Sequence, residues 1–326
     1  MLRSLMFIVI SCIALRSYPQ STLGITDKPD TSYTTQSAFQ STLKTHPHIK
    51  LVEEIVSEKV LSNENSTYCH IGDRPLLMDG FFPSVKPVKP ATAIIIIHGG
   101  GWRTGNKTQH HPLAQRLTEK GYICFTPEYR LSTEALYPAA VLDIKAAIRW
   151  VHLNAKVYNI DTNKIAVMGF SAGGELAAFM GATNGMTDFE DRICNFSASG
   201  TVKAVIDIDG ILSFIHPESG EGDDSKRTSA ASYWFGYPKK DNPELWKQAS
   251  ALTHVGKHSP PYLFLNSSVA RMHAGREDFI KELNKYGTYS EVHEFEGAPH
   301  SFCLFDPWFE PTVKYIDDFL KKVFKN

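Results

Sequence analysis

The sequence predicts one α/β domain with a mostly parallel sheet that helices cover on both sides. Two observations support this fold class. Apolar, strand-like runs alternate with amphipathic helical runs from residue 91 to the C-terminus. The first of these runs, "ATAIIIIHGGGW", contains four consecutive isoleucines, which is typical of a strand buried on both faces. The 326 residues suffice for one large domain, and no feature of the chain requires a second.

The segments ahead of the isoleucine strand are of two kinds. Residues 17–45 are polar and rich in Ser, Thr and Gln, so we expect a loose arm there and place the folded domain at residues 46–326. Residues 66–83, "STYCHIGDRPLLMDGFFP", alternate in polarity around Gly72 and Asp73, which predicts a β-hairpin.

The remaining elements follow in alternation. The predicted strands are "YICFTP", "KIAVMGF", "VKAVIDID", "PYLFLNS" and "SEVHEFE". The predicted helices are "HPLAQRLTEKG", "PAAVLDIKAAIRWVHLNAKVY", "SAGGELAAFMGA", "EDFIKELNKYG" and "PTVKYIDDFLKKVFK". Residues 211–258 contain no clear strand, and we expect them to form an irregular, partly helical insertion over the carboxyl edge of the sheet.

The N-terminus predicts export. A cationic start at Arg3 and an apolar run from Leu5 to Leu15 are typical of a signal peptide over residues 1–16, which indicates a periplasmic or secreted protein. The tripeptide before Cys12 also resembles a lipobox, so Cys12 is a candidate lipid anchor; a cytoplasmic protein with a disordered N-terminus is the alternative. The net charge of −1, without any long run of Lys and Arg, argues against nucleic acid as a partner.

The other cysteines predict no metal site. Cys69, Cys124, Cys194 and Cys303 show no metal-ligand spacing, and we expect neither a metal nor another cofactor. Cys124 lies in a strand-like run and is expected to be a core residue. Export would allow a disulfide among the others, but the sequence does not pair them.

The pentapeptide Gly169-Phe170-Ser171-Ala172-Gly173 predicts a nucleophile. It follows a predicted strand and opens a predicted helix, and a serine on such a tight turn projects outward. The amides at the start of the helix would favour a developing oxyanion. The alternative is a serine that only caps the helix, with glycines that allow close packing.

The motif "HGGGW" after the isoleucine strand predicts an oxyanion hole. Three consecutive glycines leave backbone N–H groups free to point at one oxygen atom. We expect the amides of Gly100, Gly101 and Ala172 to form this hole. A plain glycine-rich turn would explain the glycines, but not their position ahead of the Ser171 motif.

His300 is the predicted general base. It follows the last predicted strand and precedes the final helix, in the stretch "GAPHSF". His110, His111, His254 and His258 are expected to be solvated on loops or helix ends. His293 lies within a strand and is expected to be packed, whereas His273 remains an open candidate.

Several stretches together resemble a known family. "HGGGW", "PEYRLSTEALYPAAVLDIKAAIRWV", "NIDTNKIAVMGFSAGGELAA" and "PELWKQASALTHVGKHSPPYLF" resemble the HGGG-bearing carboxylesterases of the α/β-hydrolase superfamily, from about residue 67 to the C-terminus. The resemblance implies the α/β-hydrolase fold and an acyl-enzyme mechanism carried by Ser171 and His300. More narrowly, "NSSVARMHAGREDF" and "PHSFCLFDPWFEPTVKY" resemble secreted bacterial carbohydrate esterases that act on plant cell-wall polysaccharides.

The acid of the triad is not where the resembled family has it. That family places an Asp shortly after the strand matching "YLFLN", but here the position falls near Ala270, beside Arg271. One alternative is Asp209, at the tip of "VIDIDG" and on the same face of the strand as Asp207. Asp209 beside Gly210 could also be only a turn residue.

Two further alternatives for the acid remain open. Glu277 or Asp278 could bend back from the following helix, although both would also complement the helix dipole. Otherwise Ser171 and His300 form a dyad oriented by a backbone carbonyl or another polar group, or another acid such as Glu218 completes the triad.

Two arginines and several aromatic residues suggest the substrate. Arg271 and Arg276 would bind a substrate carboxylate, as in the uronic acids of pectin, unless they pair internally, for example Arg271 with Asp209. The aromatic candidates for stacking on sugars are Trp102, Tyr233, Trp234, Phe235 and Trp308. We select Trp102, Arg271 and Trp308 as the substrate-binding set.

The sequence therefore predicts a serine carboxylic ester hydrolase. Its expected partner is an ester-substituted polysaccharide or oligosaccharide that loses acetyl or methyl groups, with pectin slightly favoured over xylan. A general small-molecule carboxylesterase, a lipase or a peptidase is the alternative enzyme, although "HPESGEGDDSKRTS" is unlike an apolar lipase cap. A catalytically silent carbohydrate-binding relative is the alternative from another class.

Overall fold

A computed structural model describes residues 20–189, 194 and 197–325. The predicted signal peptide and the candidate anchor at Cys12 lie outside the described residues. Among the described residues, a short antiparallel pair and a sheet of eight strands form the β structure. The strands are β1 (Lys50–Leu51), β2 (Val60–Ile71), β3 (Arg74–Pro83), β4 (Ala91–Ile97), β5 (Ile123–Pro127), β6 (Ile160–Phe170), β7 (Ala204–Ile208), β8 (Tyr262–Asn266), β9 (Ser290–Glu294) and β10 (Phe305–Asp306).

The order of the large sheet is β2-β3-β5-β4-β6-β7-β8-β9. The predicted hairpin is confirmed, since β2 and β3 pair antiparallel around Gly72 and Asp73. β3 also pairs antiparallel with β5, and every neighbouring pair from β5 to β9 is parallel. The mostly parallel α/β-hydrolase sheet is therefore confirmed. The carboxyl ends of β4, β6, β7 and β9 meet at one edge, where the predicted site residues follow.

Helices cover both faces of this sheet. Alternate residues of β4 separate into two cores: Ile95 packs with α3 and α5, and Ile94 and Ile96 pack with α2 and α9. The helices are α1 (Thr35–Thr42), α2 (His111–Glu119), α3 (Ala139–Leu153), α4 (Ala155–Tyr158), α5 (Ala172–Ala182), α6 (Ala230–Phe235), α7 (Pro243–Gln248), α8 (Arg276–Lys285) and α9 (Phe309–Phe324).

The polar N-terminal segment is not a loose arm over its described part. Residues 35–42 form α1, which begins after a capping box at Thr34. Its Ala38 is buried. Upstream of the helix, Ser21 N donates to the Gly236 carbonyl, and Gly105 N donates to the Asp30 carbonyl. Composition alone misleads here because backbone hydrogen bonds to remote loops hold the segment, and a few apolar side chains, among them Tyr33 and Phe39, pack against the core.

The insertion between β7 and β8 has the predicted irregular character. It contains the short helices α6 and α7 and no strand among residues 211–258, all of which are described. Its interior is aromatic: Trp234 and Trp246 are fully buried, and Phe235 packs against both. The insertion is thus a packed layer with an aromatic core of its own.

A disulfide joins Cys69 in β2 to Cys194, with Cα atoms 5.8 Å apart. Cys124 and Cys303 are buried free thiols, and Cys124 is the core residue that its strand position predicts. Within the described ranges, no helix combines the length and apolar character that a membrane span requires.

Candidate active site

Ser171 lies on a sharp turn between β6 and α5. Its backbone φ is 56°, a conformation that L residues rarely adopt. Gly169 and Gly173 must lack side chains for this turn to form. A Cβ atom on Gly169 would lie 2.0 Å from the Gly173 carbonyl oxygen, and one on Gly173 would lie 2.2 Å from the Ile97 carbonyl oxygen. The motif therefore holds the serine hydroxyl above the sheet edge, as its spacing predicts.

His300 follows β9 and reaches the serine. Its Nε2 accepts a hydrogen bond from Ser171 Oγ at 2.8 Å. Its ring also packs against Phe170, with 4.9 Å between the ring centroids. This nitrogen is therefore placed to remove the hydroxyl proton.

Asp209, one residue beyond β7, is the acid that contacts His300. Asp209 Oδ2 accepts a hydrogen bond from His300 Nδ1 at 2.9 Å, and its Oδ1 accepts one from Ser267 N at 2.8 Å. The side chain is fully buried, and the backbone φ of 52° turns it toward the histidine. Asp209 thereby fixes the tautomer of His300 and would stabilise its protonated form.

The other candidate acids lie elsewhere. The Glu277 carboxylate pairs with Arg276 at 2.7 Å, and Asp278 faces His216 at 3.5 Å. Glu218 accepts a hydrogen bond from Gly275 N and also lies near His216. Each side chain is more than half exposed, as expected for residues at the start of α8 and in the insertion.

The glycine loop after β4 lies beside Ser171. Gly100 has a φ of 130°, and a Cβ atom there would lie 1.9 Å from the Thr104 carbonyl oxygen. His98 supports the loop through a hydrogen bond from Nδ1 to the Gly99 carbonyl at 2.9 Å, and burial lowers the pKa of His98 to about 4. Gly100, Gly101 and Ala172 all line the cavity at Ser171, and Ala172 begins α5, where backbone N–H groups have no acceptor within the helix.

A buried carboxyl group connects the nucleophile helix with the glycine loop. Glu175, in the first turn of α5, accepts a hydrogen bond from Trp102 Nε1 at 3.0 Å. Burial raises the pKa of Glu175 well above its usual value, against the lowering effect of the Trp102 bond, and the charge of Asp207 adds to the increase. Glu175 thereby fixes the Trp102 indole, which stacks on Trp234 with centroids 4.9 Å apart.

Asp207 has a different environment from Asp209, although Asp207 lies near the end of β7 and Asp209 directly follows that strand. Burial raises the pKa of Asp207 well above its usual value, despite a hydrogen bond from Gly210 N at 2.7 Å. Its second carboxyl oxygen has no hydrogen-bond partner. Burial therefore favours the neutral form of Asp207, which packs beneath the site and does not contact His300.

Ser171 and His300 open into a cavity of about 670 Å³. This volume lies within the usual range for ligand sites. The walls come from the glycine loop, the insertion and the loop after β8, and they include Trp102, Tyr233 and Arg271. Arg271 does not pair with Asp209; its Nη1 lies 3.5 Å from Glu221 Oε1, and its side chain is half exposed.

Several predicted residues do not reach this cavity. The Trp308 ring lies against His46 and His48, because the segment before α9 packs on the N-terminal region, so its selection for substrate binding was wrong. Arg276 is internal: its Nη1 donates to Asn266 Oδ1 at 2.8 Å and to Glu294 Oε1 at 2.7 Å. Trp234 and Phe235 are core residues.

The solvated positions expected for two histidines are also wrong. His110 and His111 are both buried, because the glycine loop and α2 fold over them. Burial lowers the pKa of His110 to about 3, and neither of its ring nitrogens has a hydrogen-bond partner. His111 bonds to Asp79 at 2.9 Å. Within the described ranges, no three His, Cys, Asp or Glu side chains cluster as a metal site would require.

The sheet topology and the Ser171–His300–Asp209 geometry are those of the α/β-hydrolase fold. Residues 78–271, more than half of the chain, match the BD-FAE family, and the chain belongs to that family.

Curated relatives of this chain include mycobacterial esterases. The chain is 28% identical over 270 residues to esterase LipC of Mycobacterium tuberculosis. The aligned region covers 78% of this chain and 64% of LipC. It is 30% identical over 226 residues to esterase LipQ of the same organism, which covers 68% of this chain and 53% of LipQ. The chain thus spans about half to two thirds of the length of these relatives.

Solved structures of the same fold include carbohydrate esterases. A truncated carbohydrate esterase from gut microbiota superposes with a TM-score of 0.70 at 24% identity, covering 84% of this chain and all of that one. An esterase of Thermogutta terrifontis with propionate bound gives a TM-score of 0.65 at 25% identity, covering 80% of this chain and 94% of that one. At this identity, the first likeness concerns the fold alone.

Proposed function

We propose that the protein is a serine carboxylic ester hydrolase that removes acetyl or methyl groups from a plant cell-wall polysaccharide. The observation that carries the hydrolase proposal is the continuous hydrogen-bonded path from Ser171 Oγ through His300 to Asp209, which opens into a cavity. The family membership and the esterase relatives support the same chemistry.

The geometry fits an acyl-enzyme mechanism. His300 Nε2 takes the proton of Ser171 Oγ while the oxygen attacks the ester carbonyl. Gly100, Gly101 and Ala172 line the cavity, and their amides would hold the oxyanion; one such donor contributes about 3 kcal/mol to transition-state stabilisation. The protonated His300, paired with Asp209, then gives its proton to the leaving alkoxide. Water repeats these steps on the acyl-serine and releases the acid.

The substrate proposal rests on the cavity walls. They combine an aromatic side chain, Tyr233, with the charged side chains of Arg103, Glu221, Asp223, Arg227 and Arg271. Such walls suit a hydroxyl-rich or acidic saccharide better than an acyl chain of a lipid. The arginines favour pectin slightly over xylan, because pectin carries carboxylates.

Export of the protein belongs to the same proposal. A polysaccharide of the plant cell wall is met outside the cell, and the sequence predicts a signal peptide. The Cys69–Cys194 disulfide supports this location, since structural disulfides persist in oxidising compartments. A lipid on Cys12 would keep the exported protein at a membrane; mass spectrometry of the mature N-terminus would distinguish the two forms.

The test is the release of acetate and methanol from native, acetylated and methylated pectin and from acetylated xylan, with Ser171→Ala as the blank. Acetate release would make the sugar hydroxyl the leaving group, and methanol release would make the uronate the acyl group. Hydrolysis of p-nitrophenyl acetate without release from any polysaccharide would favour a small-molecule carboxylesterase, the activity that the names of the mycobacterial relatives suggest.

Stoichiometric labelling separates an enzyme from a silent binding protein. A serine-directed phosphonate should modify wild type at Ser171 and leave Ser171→Ala unlabelled, because only a serine activated by His300 attacks phosphorus readily. If the wild-type serine stays unlabelled, the hydrolase proposal is wrong whatever the protein binds.

A further inference from the structure

Three arginines line the active-site cavity, and they differ in their partners. Arg271 lies 3.5 Å from Glu221, so part of its charge is already compensated. Arg103 follows directly on the glycine loop, and Arg227 is an exposed residue of the insertion. In the part of the chain that the structure describes, neither Arg103 nor Arg227 has a carboxylate at ion-pair distance. The cavity therefore holds two arginines without an ion pair among the described residues, although Asp223 also lines it and the charge of Arg103 helps to lower the pKa of Asp30.

Arg103 is held in place by contacts that leave most of its hydrogen-bond donors unused. Its guanidinium carbon lies 4.3 Å from the centroid of the Tyr233 ring, and its Nη1 donates to the Gly24 carbonyl at 3.4 Å. A stacked guanidinium keeps its N–H groups in the plane of the group, where they can bind a carboxylate through two parallel hydrogen bonds. The backbone is fixed too, since Arg103 N donates to the Gly100 carbonyl at 3.2 Å.

Glycine at position 24 is part of this arrangement. Gly24 has a φ of 94°, and a Cβ atom there would lie 2.9 Å both from Arg103 Nη1 and from the Tyr233 ring. The N-terminal segment thus approaches the arginine closely enough to hold its plane, while Tyr233 of the insertion supports one face. The position of Arg103 therefore depends on three segments that are remote in sequence: its own loop, the insertion with Tyr233 and the N-terminal segment with Gly24.

We infer that Arg103 is a specificity-determining residue that binds a carboxylate of the substrate, with Arg227 as a second cation of the same cavity. The inference rests on the proposed esterase function and narrows its substrate to an acidic saccharide, an ester-bearing chain that contains free uronates. An arginine serving only the fold would be expected to bond to a carboxylate of its own protein, as Arg276 does with Glu294. The substrate must therefore carry a free uronate near the ester. Full methylation of the saccharide chain would remove the carboxylate that Arg103 binds.

The test compares two acetylated substrates that differ only in charge. Acetylated oligogalacturonate is one, and the same oligomer with every carboxylate methylated is the other. Wild type is expected to show a kcat/KM for acetate release at least tenfold higher on the acidic oligomer, mostly through KM. In Arg103→Gln this ratio should fall to about one, and Arg103→Lys should restore part of it, because the charge returns without the bidentate geometry.

Lys226→Gln is the matched control, since it removes one positive charge from an exposed neighbour that does not line the cavity. It should keep the wild-type ratio. An equal loss on both oligomers in Arg103→Gln would assign Arg103 to the cavity wall alone, and an unchanged ratio would exclude it from recognition. Either result overturns the inference.

A binding measurement separates this inference from the hydrolase proposal. Calorimetry with Ser171→Ala and unesterified oligogalacturonate should show binding that weakens at least tenfold when Arg103→Gln is added. Absence of binding to Ser171→Ala would overturn the inference even if the wild type hydrolyses p-nitrophenyl acetate. Binding in a protein that hydrolyses no ester would leave the recognition of carboxylates standing and reject the hydrolase instead.

Discussion

The reaction centre and the cavity wall above it are built in different ways. Ser171, Asp209 and His300 each lie just beyond the carboxyl end of a parallel strand, so the sheet register sets their distances. The wall around Tyr233 joins the N-terminal segment, the glycine loop and the insertion through contacts between irregular segments, such as the hydrogen bond from Ser21 N to the Gly236 carbonyl. The sheet therefore fixes the geometry of the triad, whereas the irregular segments shape the cavity beside it.

The strongest way to break this comparison is to replace the acid at the reaction centre. Asp209→Asn should lower kcat by about 10³- to 10⁴-fold, because an amide beside His300 Nδ1 favours the wrong tautomer. Asp207→Asn is the matched control on the same strand, and it should keep activity within about threefold, since burial raises the pKa of Asp207 and its carboxyl does not contact His300. Steady-state hydrolysis of p-nitrophenyl acetate measures both.

Glu277→Gln and Asp278→Asn complete that experiment. Both side chains are exposed at the start of α8 and should leave kcat unchanged. If either variant loses most of its activity while Asp209→Asn stays active, the acid of the triad is the α8 residue that was replaced and not Asp209.

The contact between the two regions should have an intermediate effect. Glu175→Leu removes the acceptor of Trp102 Nε1 and leaves that indole N–H without its partner at the glycine loop. We expect kcat to fall by about tenfold, which corresponds to the usual cost of an unsatisfied buried donor. Glu175→Gln keeps an acceptor and should retain most of the activity, so equal losses in both variants would argue against a positioning role.

The same glutamate predicts a pH dependence of stability. The pKa of Glu175 is raised in the folded protein, so the folded state keeps a proton that the unfolded state loses. The free energy of unfolding should therefore decrease as the pH rises above the unfolded value of about 4.3, until the folded group also ionises. Glu175→Gln lacks this decrease, so its stability relative to wild type should grow with pH in urea titrations. A constant difference between the two proteins would contradict a raised pKa.

The Cys69–Cys194 disulfide should have the smallest effect on activity. It joins positions 125 residues apart, and neither cysteine lines the active-site cavity. The double variant Cys69→Ala/Cys194→Ala should lose about 2–5 kcal/mol of unfolding free energy and keep its KM at 25 °C. Thermal unfolding in the presence and absence of a reductant checks this, and reduction should not change the melting temperature of the double variant.

The sequence predicts the reaction centre better than the wall for a physical reason. Ser171, the glycines and His300 stand in local strand-to-turn patterns whose geometry depends on neighbouring residues. Asp209 could be only one alternative among several, because the sequence does not give the order of strands that brings β7 beside β6. Its position at the strand tip was the useful signal.

The wall depends on contacts that no local pattern contains. Arg103 meets Tyr233 and Gly24, residues about 130 and 80 positions away in the chain. Trp308 was selected for its type alone, yet it packs on His46 and His48. The polar residues upstream of α1 likewise gave no sign that they border the glycine loop. A glycine with a positive φ, such as Gly24, marks such a contact only after the partner is known.

The unusual backbone of Ser171 implies a conflict between activity and robustness of the fold. A serine at a φ of 56° costs roughly 1–3 kcal/mol, and a glycine would relieve this cost at an entropic penalty of about 0.5–1 kcal/mol. Ser171→Gly should therefore melt at a higher temperature than Ser171→Ala, which retains the strain but also lacks the hydroxyl. The most heat-resistant version of this turn would then be one that cannot form an acyl-enzyme, so the working protein is less stable than its fold allows.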